Sequence, residues 1–253
     1  MLFPPLTSVR GWLRPSLARY RIRRLRPRST GWPLIRLGAP NDGGYLVPDD
    51  LDGIVACFSP GVAGVCDFEL DMAQRGVPVF MADASVKGPP KSHPLFRFEP
   101  LFLRAATGGD TVSLDDWVAR HAPAAGDMLL QMDIEGAEYE VLAAASPETL
   151  RRFRVIVLEV HRLQNLFAVR GHQGVMALFD DLLRDFIIVH AHANNHAAPT
   201  VEREVAISRV IEFTFHRRDR VRPGGDRVRL PHTLDAPNLT DRPDYPLSEL
   251  WWR

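Results

Sequence analysis

The run LLQMDIEGAEYEVL at residues 129–142 changes character at Asp133, where an apolar stretch stops and an acidic, alanine-containing pattern begins. Residues 128–134 are short and apolar enough for a strand buried on both faces, and 138–145 carry helix formers with Val141 and Leu142 spaced for one side. Gly136 supplies the tight turn between them. The pattern predicts one strand–turn–helix unit. In an open α/β sheet, ligands gather outside the carboxyl ends of the strands, which puts Asp133 and Glu135 where a substrate or cofactor would sit. The structural alternative is that Asp133 caps the helix while Glu135 and Glu138 complement its positive end.

The segment MDIEGAEYEVL at 132–142 resembles the signature of the FkbM-type methyltransferase family, enzymes that depend on S-adenosylmethionine (SAM) and act on hydroxyl oxygens. The resemblance implies an α/β fold with a doubly wound, seven-stranded, mostly parallel Rossmann-like sheet whose last strand is antiparallel. It also extends to NDGGY at 41–45, since related methyltransferases carry a similar segment just before the nucleotide fold. Asp42 and Tyr45 would then border the cleft; a plain hairpin turn is the structural alternative.

The remaining elements fit that order. Residues 54–58 read as a strand, followed by the glycine-rich turn SPGVAG at 59–64 and a helical run at 67–75. Such a turn lets backbone approach a cofactor at Ser59, Gly61 and Gly64, although GxGxxG is incomplete and Ser59 stands where the commonest methyltransferase pattern has an acid. A second strand, 77–82, ends at Asp83, nineteen residues after Gly64, which is close to the spacing at which a carboxylate meets ribose hydroxyls. A turn cap is the alternative for Asp83. A third strand falls within 95–98, a capped helix at 111–120, a fifth strand at 155–160, a sixth at 186–191 and a seventh at 210–216.

These strands bring Asp83, Asp133, Glu159 and His192 to one rim, with Glu159 and His161 on the same side of their strand. The run at His192, Asn194 and Asn195 is too polar to be buried without partners. Three readings stay open. In the first, Asp133, Glu159, His161 and His192 hold Mg2+ or Mn2+; in the second, His161 or His192 is a metal-free general base beside Asp133; in the third, the histidines are structural. SAM would lie across Ser59, Gly61, Gly64, Asp83 and Asp133, and a hydroxyl of a sugar or other small metabolite would meet Asp42, Tyr45, Glu135, Asn194 and Asn195. Two other functions compete: a nicotinamide-dependent oxidoreductase, served by the same glycine turn and Asp83, and a catalytically silent membrane- or partner-binding module.

Composition sets the outer limits. With 253 residues, 45% hydrophobic and 25% charged, the chain can bury one sizeable core. Its 31 basic and 31 acidic residues cancel, so no global field points to nucleic acid. The two cysteines fit neither a disulfide framework nor a zinc pattern, and no apolar run approaches the roughly 18 residues of a membrane span, so the expected location is cytoplasmic. The domain boundaries are expected at a basic leader, 1–34, a methyltransferase-like domain, 35–216, and a tail, 217–253, packed on that domain. Residues 1–41 hold nine arginines and no acid. Prolines at 4, 5, 15, 27 and 33 interrupt any long helix, which favours a solvated leader; the other reading is a weak, salt-sensitive contact of residues 1–30 with anionic lipid.

Overall fold

The structure, a computed structural model, describes residues 15–168, 172–202 and 204–253. Helix α1 (Pro15–Arg24) precedes a hairpin of β1 (Leu34–Leu37) and β2 (Tyr45–Pro48). Then come β3 (Ile54–Pro60), α2 (Asp67–Gln74), β4 (Val79–Ala82) and β5 (Phe96–Glu99). The two-residue strands β6 (Phe102–Leu103) and β7 (Thr111–Val112) lead to α3 (Leu114–His121), and β8 (Asp127–Met132) runs into α4 (Glu138–Ala144) and α5 (Pro147–Arg151). After β9 (Phe153–Val160), α6 (His172–Asp185) and β10 (Phe186–Ala193), a small hairpin of β11 (Thr200–Glu202) and β12 (Val205–Ile207) precedes β13 (Ile211–Arg217).

Seven strands form one mixed sheet in the order β10-β13-β9-β8-β3-β4-β5. The pairs β5/β4, β4/β3, β3/β8 and β8/β9 are parallel, and β13 is antiparallel to both β9 and β10. From β3 the chain moves outward through β4 and β5, then returns to β8 on the other side of β3. The carboxyl ends of β3 and β8 therefore flank the point where the winding reverses, the place in such sheets where a crevice opens.

Strand alternation sorts the interior into two layers. Ala56 and Phe58 of β3, Leu130 and Met132 of β8, and Ile156 and Leu158 of β9 join one core with α1, α3, α4 and α6. Cys57, Leu129, Val155 and Val157 face the other, where α2 and the β1–β2 hairpin cover the sheet. The leader helix belongs to the first core: Ala18, Ile22 and Leu25 are buried, while Leu17 and Tyr20 face outward. Its prolines bound the helix instead of breaking it, because Pro15 starts it, where a missing N–H costs nothing. The leader residues 1–14 lie outside the described residues. From the tail, Leu230, Leu247 and Trp251 are buried in that same core. No helix among the described residues is long and apolar enough to cross a membrane.

Candidate active site

Gly61 fixes the contact between the loops after β3 and β8. Its φ is +89°, and a Cβ there would stand 1.6 Å from the Asp133 carbonyl oxygen, so only glycine lets the two turns meet. Asp133 N–H in turn donates to the Pro60 carbonyl (3.3 Å). Asp83, at the end of β4, accepts from Ala63 N–H (3.0 Å) through Oδ2 and from Ser85 N–H (2.8 Å) and Oγ (2.6 Å) through Oδ1. It thus ties its strand end to the glycine-rich turn. Gly64 is exposed, and a Cβ on it would touch nothing within 4 Å.

Ser59 lies deeper. It is fully buried, with its hydroxyl held by Glu69 of α2 and by Gln131 Oε1 (2.6 Å). Burial pushes the Glu69 carboxyl up to about 7. Gln131 Nε2 donates to the Tyr45 hydroxyl (3.3 Å), and the Tyr45 ring packs edge-on against Phe68. Burial, reinforced by the charges of Glu159, Asp133 and Glu212, holds the Tyr45 phenol protonated well above its usual range. Ser59 and Tyr45 therefore belong to a polar layer inside the sheet, with hydroxyls already engaged by protein.

Around Asp133 the chain concentrates acid. Glu138, the first residue of α4, is completely buried. Its Oε1 accepts from Gly136 N–H (3.1 Å) and Ile134 N–H (3.4 Å) and meets His161 Nδ1 at 2.9 Å. The other imidazole nitrogen, Nε2, faces Glu135 Oε2 at 3.4 Å, Asp133 Oδ1 at 3.8 Å and Glu159 Oε2 at 3.8 Å. Burial pushes Asp133 up to about 7, helped by Glu135 and Glu138 against the opposing pull of His161. Glu159 is driven up by burial and then by Asp133 and Glu212. Burial pulls His161 down, yet the surrounding carboxylates, Glu138 first, leave it above its ordinary value. Glu135 adopts φ +58°, a left-handed conformation uncommon for glutamate, which places its carboxylate at this cluster.

The ligand atoms of Asp133, Glu135 and His161 all lie within 4.8 Å of one another, and Asp133 Oδ1 is buried without a hydrogen bond among the described residues. Glu159 borders this group. His192 stands apart from it: the strand continues through Ala193, so His192 sits within β10, with Nδ1 at 3.1 Å from Glu212 Oε2 and Nε2 at 3.3 Å from Asp244 Oδ2. Burial works against its charge, but Asp244 and Glu212 prevail and raise it to about 10. At neutral pH it is an imidazolium clamp, with both nitrogens occupied.

Glu159, Glu212 and His192 are register partners across β9, β13 and β10. Asn194 Nδ2 donates to Glu159 Oε1 (2.6 Å), while buried Asn195 exchanges hydrogen bonds with Leu239 (2.9 and 2.8 Å) and so fastens the tail to the sheet. Asn238 Nδ2 reaches both Glu212 Oε1 (2.5 Å) and Asp42 Oδ1 (3.1 Å), joining tail, β13 and the β1–β2 hairpin. Sequence reading missed Glu138, Glu212, Asn238 and Asp244. Glu212, an acid inside the apolar run VIEFTFH, carried a usable signal, because a buried charge needs a partner.

The strand order and the acid-lined rim beside the β3/β8 crevice define an α/β protein with a seven-stranded mixed sheet wound in both directions from β3. Within it, residues 80–188 match the family model described as the Methyltransferase FkbM domain. The matched span holds Asp83, Asp133, Glu135, Glu138, Glu159 and His161, and it leaves out Gly61, His192 and the tail. No curated protein matches the chain.

Proposed function

We propose that this protein is a SAM-dependent methyltransferase that modifies a hydroxyl oxygen of a sugar or other small metabolite. The observation that carries this reading is His161, held at Nδ1 by buried Glu138, with Nε2 turned toward Asp133 at the mouth of the crevice. The site suits SAM: Gly61 brings bare backbone to the winding reversal, and Asp83 Oδ2, which accepts only one hydrogen bond, has lone-pair capacity left for a ribose hydroxyl. When bound, SAM supplies an electrophilic methyl group.

The protein's own task is to orient the acceptor and remove one proton. Orientation can supply about 7–11 kcal/mol of the barrier when reacting atoms are held near attack distance. His161 Nε2 takes the hydroxyl proton, and Glu138 fixes the tautomer and stabilises the imidazolium that forms. No covalent enzyme intermediate is needed.

A second reading has its own support. Asp133, Glu135 and His161 form a three-ligand set for Mg2+ or Mn2+, and the bare Asp133 Oδ1 fits a cation better than it fits a closed hydrogen-bond network. A metal there would lower the pKa of an acceptor hydroxyl.

Labelled methyl transfer from SAM to a panel of hydroxyl acceptors tests the proposal. Label should appear on oxygen, and His161→Gln should lose transfer while still binding SAM; label on nitrogen or carbon would contradict O-methylation. A cytoplasmic location is proposed from the two buried free thiols, Cys57 and Cys66, and fractionation of the native host would test it. Weak contact of the arginine-rich leader with anionic lipid is a separate proposal. Flotation with anionic liposomes should drop when residues 1–14 are removed, a deletion that spares the buried Ile22 and Leu25.

A further inference from the structure

Away from this rim, a cavity lies against edge strand β10. Residues 28–34 form one wall, residues 225–229 and 231–233 the other, and Val189 and His190 line it from the sheet; its volume is about 870 Å³. Three arginines, Arg28, Arg227 and Arg229, line it, and none has a carboxylate within ion-pairing distance among the described residues. Arg154, Arg217 and Arg220, by contrast, pair with Asp50 or Asp127. A neighbouring cavity of about 450 Å³ shares the same three side chains and adds Arg253.

The sheet wall adds a buried polar group. His190 is 3% exposed, and its Nε2 stands 3.0 Å from Asp235 Oδ1. His232 faces it edge-on across the cavity, with ring centroids 6.1 Å apart. The one acid in the lining, Asp226, makes no ion pair among the described residues. Three exposed guanidinium groups, without an ion-pair partner among the described residues, thus line one open groove against a single carboxylate. That balance favours an anion with several oxygens spread over a few ångströms, and guanidinium forks match phosphate bidentately.

We infer that this groove binds a phosphate-bearing ligand at a site separate from the methyl-transfer rim, with Arg28, Arg227 and Arg229 holding the phosphate oxygens. The inference does not depend on the SAM reading, because it stands on the cavity and its unpaired cations alone. The ligand's phosphate can be carried by a soluble metabolite or by a lipid headgroup, and the two sources are separable by experiment.

The test is calorimetric titration of the full-length protein with inorganic pyrophosphate at low and high salt, beside sedimentation with phosphatidylcholine vesicles that contain phosphatidic acid. Arg227→Gln/Arg229→Gln is the informative variant, since both side chains are exposed and the fold does not rest on them. Pyrophosphate should bind the wild type with salt-sensitive affinity, and the double variant should bind more than about tenfold more weakly with an unchanged thermal melt. Vesicle capture lost in the same variant would place the phosphate on a lipid and equally support the site. Wild-type protein that binds neither probe, or a double variant that binds both as well as wild type, would overturn it.

Discussion

Glu138 Oε1 and His161 Nδ1 stand 2.9 Å apart, and the same oxygen holds the backbone N–H groups of Ile134 and Gly136. One buried carboxylate thus shapes the turn after β8 and orients the imidazole that faces the crevice. Because Glu138 is the first of the carboxylates that raise His161, Glu138→Gln should lower the His161 pKa. A base with a lower pKa is free of its proton at lower pH, so the acid limb of the kcat/KM profile should move toward acid in this variant. His161→Gln should lose about 10² to 10⁴ in kcat. An acid limb that stays in place in Glu138→Gln would disconnect Glu138 from the reacting proton.

Chelation separates the two ways of handling that proton. If His161 acts alone, activity survives chelator and is lost in His161→Gln. If Asp133, Glu135 and His161 hold a cation, activity falls with chelator and returns on adding Mg2+ or Mn2+, and Glu135→Gln should weaken that return.

His192 gives a prediction about stability. Its pKa is raised to about 10 by Asp244 and Glu212, so its contribution to folding is fully present below about 6.5 and is lost as pH rises through about 10. His192→Gln leaves Glu212 buried without its cation and should cost about 3–5 kcal/mol at pH 6. Urea melts at pH 6 and pH 10 should show the gap between wild type and variant shrinking at the higher pH. An equal gap at both would mean that the clamp is uncharged.

Gly61 and Gly64 should behave differently although both belong to the glycine-rich turn. Gly61→Ala forces a Cβ into the Asp133 carbonyl at a left-handed φ and should destabilise by about 1–3 kcal/mol, with loss of SAM affinity. A methyl on Gly64 meets only open space, so Gly64→Ala should melt within about 0.5 kcal/mol of wild type. Thermal melts of the two proteins decide this.

Much of the sheet was legible because each buried strand is a short apolar run that stops at a polar residue. Asp83 and Asp133 could be placed at strand ends from that pattern alone. Glu138 was visible but was read as a surface complement to the helix dipole; periodicity cannot tell that its carboxylate turns back under residues 134–136 to reach His161, 23 positions later. His192 was expected just beyond a strand ending at residue 191, since HANNH at 192–196 looks polar, yet the strand extends through it because Glu212 and Asp244 supply partners. Asp244 lies 52 residues away in an irregular stretch of the tail, so no local signal could pair them. The leader was expected to be solvated because its prolines interrupt any long helix; α1 is indeed only ten residues long, but Ala18 and Ile22 bury one of its faces in the core.

The central claim is that SAM binds across Gly61 and Asp83. Isothermal calorimetry of the wild type with SAM and with S-adenosylhomocysteine tests it directly, beside Asp83→Ala. Both ligands should bind the wild type, and the variant should bind about tenfold more weakly or worse, as expected for loss of charged hydrogen bonds to the ribose. A folded wild-type protein that takes up neither ligand would contradict the account.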